Sequence, residues 1–170
     1  MNTIMQRIIS SLLLVFAITT ITFAQDFDGF WVGEIPIFDN ELPYTLEVEL
    51  EQNGNILTGA SRIYHPYTTN YAVMLLEGEV DGDQIILREY DVVDSRVLPN
   101  TNIGGGWYLK RLEGTLQMDE EKEEFVINGR WTADKAWDHI GMQLNRGVLA
   151  RPGVFNLRKV DPSEISAANE

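Results

Sequence analysis

Between Tyr44 and Glu51 the chain alternates strictly. Tyr44, Leu46, Val48 and Leu50 are apolar, and Thr45, Glu47, Glu49 and Glu51 are polar. A β-strand turns successive side chains to opposite faces, so this spacing predicts one buried and one wet face. Asn53-Gly54 follows, a pair that favours a tight hairpin, and the chain returns over Ile56–Tyr64. The pattern recurs. Tyr71–Val80 meets Gln84–Val93 across Asp81-Gly82-Asp83, and Trp107–Met118 meets Glu124–Thr132 across the charged turn at Asp119–Lys122. Gly29–Ile37 is the first strand and Val154–Val160 the last. No segment has helical periodicity. The fold class is therefore all-β: one domain over 25–160, an eight-stranded antiparallel up-and-down barrel, because closure removes exposed strand edges. A two-sheet sandwich is the competitor, but it needs longer crossovers than these hairpins.

Three connections are longer, 65–70, 94–106 and 133–152, and each follows an odd-numbered strand. In an antiparallel meander they share one end, opposite the floor where the first strand begins. The turn at Asn53-Gly54 then lies at the floor. A short helix around Asp134–Ile140 is expected in the third connection, and the polar tail 161–170 is expected to be flexible.

The first 24 residues read as a secretory signal peptide. A short start carrying Arg7 precedes an apolar stretch from Ile8 to Phe23, and cleavage after Ala24 leaves Gln25 first. The alternative, a membrane anchor, is disfavoured by the short apolar core. The expected location is periplasmic or extracellular. With 13 Lys+Arg against 26 Asp+Glu, the net charge is −13, which argues against nucleic acid and anionic lipid as partners. The absence of cysteine excludes disulfides, thiolate metal sites and a lipid-modified N-terminal cysteine. No second long apolar segment follows, so no stable membrane insertion is expected once the signal is removed.

Gly29-Phe30-Trp31 resembles the Gly-x-Trp opening of the calycin barrels, the group that includes lipocalins, fatty-acid-binding proteins and avidins. The lipocalin resemblance implies that a late arginine packs across that tryptophan at the closed end, and Arg158 stands in the corresponding place. Leu57-Thr58-Gly59, Gly106-Trp107 and Gly129-Arg130-Trp131 are similar to avidin landmarks. The first strand, Val32-Gly33-Glu34-Ile35-Pro36-Ile37, lacks the Asn and Ser pattern that holds biotin, so biotin binding is not implied.

The leading functional expectation is an exported, non-catalytic barrel that binds a small, partly apolar molecule in its interior, without a cofactor. Tyr64, Tyr67, Trp107, Tyr108 and Trp137 flank the long connections and are expected to ring the mouth, with Arg88 or Lys110 below as a polar anchor. Within Arg88-Glu89 and Lys110-Arg111 one residue of each pair must face inward; the expected arrangement is that these charges lie at strand ends or snorkel to water. The alternative function is a structural or protein-interaction module of the cell envelope with a filled core. A third reading places a hydrolase or isomerase around Asp138 and His139, with Asp134 nearby. It lacks a nucleophile beside them, and two histidines make a transition-metal site weak. Asp119–Glu124 lacks the spacing of a calcium loop.

Overall fold

The computed structural model describes residues 26–36, 42–98, 107–137, 143–144 and 152–167. The strands are β1 (Gly29–Ile35), β2 (Tyr44–Asn53), β3 (Ile56–Tyr64), β4 (Tyr71–Asp81), β5 (Gln84–Arg96), β6 (Trp107–Asp119), β7 (Glu124–Trp137), β8 (Gln143–Leu144) and β9 (Gly153–Val160). Each of β1 to β7 pairs with the next, β9 pairs with β7, and β1 pairs with β9, all antiparallel. The result is a closed eight-stranded barrel, consistent with the general calycin topology. The two residues of β8 attach to Trp137 and Ala136 outside that ring.

Three hairpin turns share one end, following β2, β4 and β6. Gly54 and Gly82 supply positive φ there, 65° and 62°, and in the third turn Asp119 Oδ1 accepts the backbone N–H groups of Glu121 and Lys122. Alternation then places the 65–70 connection, the C-terminal ends of β5 and β7 and the N-terminal ends of β6 and β9 at the opposite end. The 133–152 connection is shorter than expected: β7 runs on through Trp137, which displaces the helix expected to start at Asp134. A bulge at Asp134, where Leu109 faces Lys135 and Lys110 faces Ala133, lets the ladder continue. The expected signal segment Met1–Ala24, Ile37 of the first strand, Asp138 and His139 lie outside the described residues.

The floor is sealed by Phe27 and Trp31, both fully buried. Trp31 Nε1 donates to Phe27 O at 3.0 Å, and Phe27 N donates to Gln52 Oε1 at 2.9 Å. The cation over Trp31 is Lys159, not Arg158. Its Nζ lies 5.5 Å from the ring centroid and also donates to Asp26 O and Oδ2. Register decides this: Lys159 stands directly across from Trp31 and shares its face, whereas Arg158 faces Val32. Arg158 turns outward to Glu164, 3.1 Å away, on the short helix α1 (Pro162–Ala167). The start of the tail thus forms a short helix. Asp161 caps α1, accepting from Ser163 N at 2.9 Å, and its N–H donates back to Glu164 Oε1.

Closing so few strands demands strong coiling, and glycines permit it. A Cβ on Gly33 would sit 1.7 Å from Asn156 O. On Gly59 it would meet Glu49 O at 1.9 Å, and on Gly129 Glu113 O at 2.1 Å. The interior space that glycines leave is taken by rings: Phe155 covers Gly114 and Gly129, and Trp131 covers Gly153. Every wall strand contributes a side chain at 0 % exposure: Trp31, Leu46, Leu57, Met74, Leu87, Leu112, Ile127 and Leu157. A water-filled lumen beside them would leave them accessible, so the barrel is packed around these residues.

Candidate functional site

The interior is not wholly apolar. On β5, Ile85, Leu87 and Glu89 share the inward face. On β6, Lys110 points inward with Leu112 and Leu116. Glu89 Oε2 accepts from Lys110 Nζ at 2.8 Å and from the Lys110 backbone N–H at 2.8 Å; Glu89 Oε1 accepts from Ser61 Oγ at 2.5 Å. Lys110 Nζ also donates to Tyr108 O at 3.2 Å. The Lys110 and Glu89 side chains are 1 % and 0 % exposed. The charges expected at strand ends or in water are instead buried and paired.

The pair marks a seam in the wall. β5 and β6 share a ladder only from Gln84–Thr115 to Arg88–Arg111. Beyond it β5 stays on β4 up to Arg96, with extra residues at Tyr90 and Val93, and Trp107–Lys110 stay on β7. Such bulges bend a strand away from its neighbour. The Glu89 carboxylate reaches across where the ladder stops and takes the Lys110 N–H that lacks a β5 carbonyl.

Among the described residues, the aromatics expected at the mouth lie in different places. Trp107 is buried at the mouth end, and its Nε1 has no partner among the described residues. Its strand partner is Trp137, whose side chain lies outside the described residues. Tyr108 follows Trp107 on the opposite face of β6 and is half-buried. Tyr64 lies on the outer wall, directly across from Tyr71, and donates to Glu47 Oε2 at 3.2 Å. Burial raises its phenol above the ordinary range; the Arg62 hydrogen bond pulls the other way and the charge of Glu47 adds to the rise. Tyr71 donates to Asp94 Oδ2 at 3.0 Å, a bond that raises its phenol too. Tyr67 is exposed in the 65–70 connection, 6.0 Å from the His65 ring. Arg88, one residue before Glu89, faces solvent. Of the two proposed anchors, only Lys110 lies inside, and Glu89 already holds it. Neither Glu89 nor Ser61 was an expected site residue, yet both share the parity of the apolar residues on their strands.

The outer wall carries a groove of about 560 Å³ beside β1, β9 and β7, lined by Glu34, Pro36, Pro43, Asn128, Val154 and Asn156 among others. Two of its lining amides are paired: Asn156 Nδ2 donates to Asn128 Oδ1 at 2.6 Å, and Asn128 Nδ2 donates on to Gln117 Oε1 at 3.4 Å, beyond the groove. No group of three or more metal-ligating side chains occurs among the described residues. Compared with known protein families, curated proteins and solved structures, the chain matches none.

Proposed function

We propose that this chain is an exported, non-catalytic barrel with a filled core that acts through its outer surface, as an interaction module of the cell envelope. The observation that carries the reading is the packed interior: a fully inaccessible side chain on each wall strand, and rings over the inward glycines. Eight-stranded barrels either fill with side chains or hold one small ligand, and these residues fit the first case. Export rests on the Met1–Ala24 pattern. The groove on β1, β9 and β7 is a concavity of that surface where a partner could seat. Native mass spectrometry of the protein purified from its own host tests the reading. The expected mass is that of the processed polypeptide, or that mass less the one water an internal amide would release, alone or with a protein partner. A small molecule retained in stoichiometric amount overturns it.

A second reading, a small, partly apolar ligand at the mouth, is favoured by one atom. Trp107 Nε1 is buried without a partner among the described residues, and a buried donor of that kind is costly unless something accepts from it. That reading expects a ligand to quench tryptophan fluorescence, with the signal reduced in Trp107→Phe.

A further inference from the structure

The Glu89–Lys110 contact is an ion pair that also brings an amine against a carboxyl group in a buried site. An amine and a carboxyl group are held 2.8 Å apart, with water kept out and the carboxyl oxygens differently bonded. We propose that Lys110 Nζ and Glu89 Cδ condense in the folded barrel to an amide, a covalent staple between β5 and β6. The inference stands apart from the question of what the surface binds.

The step balances without any further reactant. A proton passes from the Lys110 ammonium to Glu89 Oε2, leaving an amine beside a carboxylic acid. The Nζ lone pair attacks Cδ, and the carbonyl electrons move to Oε1. A second proton passes from Nζ to Oε2, the Cδ–Oε2 bond breaks, and one water leaves. Two opposite charges become one neutral amide; nothing is oxidised or reduced.

Each polar neighbour has a part in this sequence. Ser61 Oγ, 2.5 Å from Oε1, donates to the oxygen on which negative charge develops, the position where a fixed donor contributes most. The Lys110 backbone N–H donates to Oε2, the departing oxygen. Tyr108 O, 3.2 Å from Nζ, remains as acceptor for the N–H of the new amide. Holding the two groups in contact replaces a bimolecular encounter with an effective concentration of about 10⁵–10⁸ M. The apolar surroundings favour the product, since burying two ions is costly and burying a hydrogen-bonded amide much less so.

The position is also where a staple has most effect. The β5–β6 ladder ends at Arg88–Arg111, so the next residue on one strand and the preceding residue on the other carry the link. The chain has no cysteine, and small exported domains commonly need a cross-link.

Peptide-level mass spectrometry of the full-length protein, expressed and folded, tests the proposal. Trypsin should fail to cut after Lys110. It should release one branched species joining Glu89–Arg96 to Val97–Arg111, lighter than the two peptides together by the water lost in condensation. Cyclisation of Gln25 or of a peptide-terminal Glu89 changes mass without joining two peptides, so the branched ion is decisive. The link should be absent from protein held unfolded in denaturant since synthesis, and should accumulate on refolding. Ser61→Ala should slow that accumulation by about 10²-fold or more. Lys110→Arg keeps the charge and should give no branched ion. Separate Glu89–Arg96 and Val97–Lys110 peptides from a wild-type sample that unfolds cooperatively overturn the proposal, whether or not the variants fold.

Discussion

Gly33→Ala should destabilise the barrel far more than a glycine replacement in a turn. The added methyl would have to occupy a point 1.7 Å from Asn156 O, 2.8 Å from Asn156 C and 3.0 Å from Leu157 Cα. All three are backbone atoms of β9, so no rotamer change relieves the clash. The strands must part around the Gly33–Leu157 position, in the pair that closes the ring. Overpacking costs about 1–3 kcal/mol, and each ladder bond lost adds about 1 kcal/mol. With two such bonds weakened, the total is about 3–5 kcal/mol. Gly54→Ala is the control. Its φ of +65° penalises any side chain, yet nothing lies within 4 Å of the new methyl, so the cost is backbone conformation alone, about 1–2 kcal/mol. At a urea slope of about 2 kcal/mol per M, the midpoints should fall by about 1.5–2.5 M and about 0.5–1 M respectively. The assay is equilibrium urea unfolding followed by tryptophan fluorescence. Equal shifts for the two variants, at unchanged slope, would refute the close-approach argument for barrel closure.

Three further outcomes follow from the floor and the outer wall. Trp31→Ala should cost about 3–5 kcal/mol, and Lys159→Ala should cost more than Arg158→Ala, because only Lys159 covers the indole; denaturation midpoints check the order. The Tyr64 phenol is raised by burial and by Glu47, so the unfolded chain ionises first as pH climbs. The stability this residue contributes is complete below the ordinary phenol value of about 10 and lost as pH rises through the folded value. Tyr64→Phe should therefore flatten the alkaline fall in the unfolding midpoint.

Strand order was legible because the signal is local. Tyr44–Leu50 alternates without a break, and Asn53-Gly54 and Asp81-Gly82 mark their own turns. The inward charges were legible in part. Ile85 and Leu87 set a parity that puts Glu89 inside, and Leu112 and Leu116 do the same for Lys110. That parity breaks at Leu109–Lys110, where two successive residues are buried. The break coincides with a bulge on the partner strand, at Asp134, which the pattern of β6 alone does not show. The exchange of Arg158 for Lys159 over Trp31 has a similar origin, since one residue of register between the first and last strands decides which cation shares the tryptophan's face. The signal for α1 was present: Asp161-Pro162-Ser163-Glu164 combines a capping residue, a proline at the first helical position and a glutamate at the third. Its brevity hid it, as no apolar period can develop in so few residues.

A physical question remains at the seam: why a barrel packed with Leu, Ile and Trp should place two charges inside. The answer begins with the backbone. Where β5 bends away from β6, the N–H of Lys110 has no strand carbonyl to meet, and a buried amide left without an acceptor is costly. An apolar side chain at position 89 would fill the space but accept nothing. A carboxylate can bridge the gap, and its own charge must then be matched by a buried cation or many donors. Lys110 supplies both from one residue, its backbone N–H at 2.8 Å and its ammonium at 2.8 Å, while Ser61 takes the remaining oxygen. The bulges at Tyr90, Val93 and Asp134 and the Ser61–Glu89–Lys110 network are on this view one feature: strands bent apart by extra residues, with a side-chain bridge in place of the missing rung.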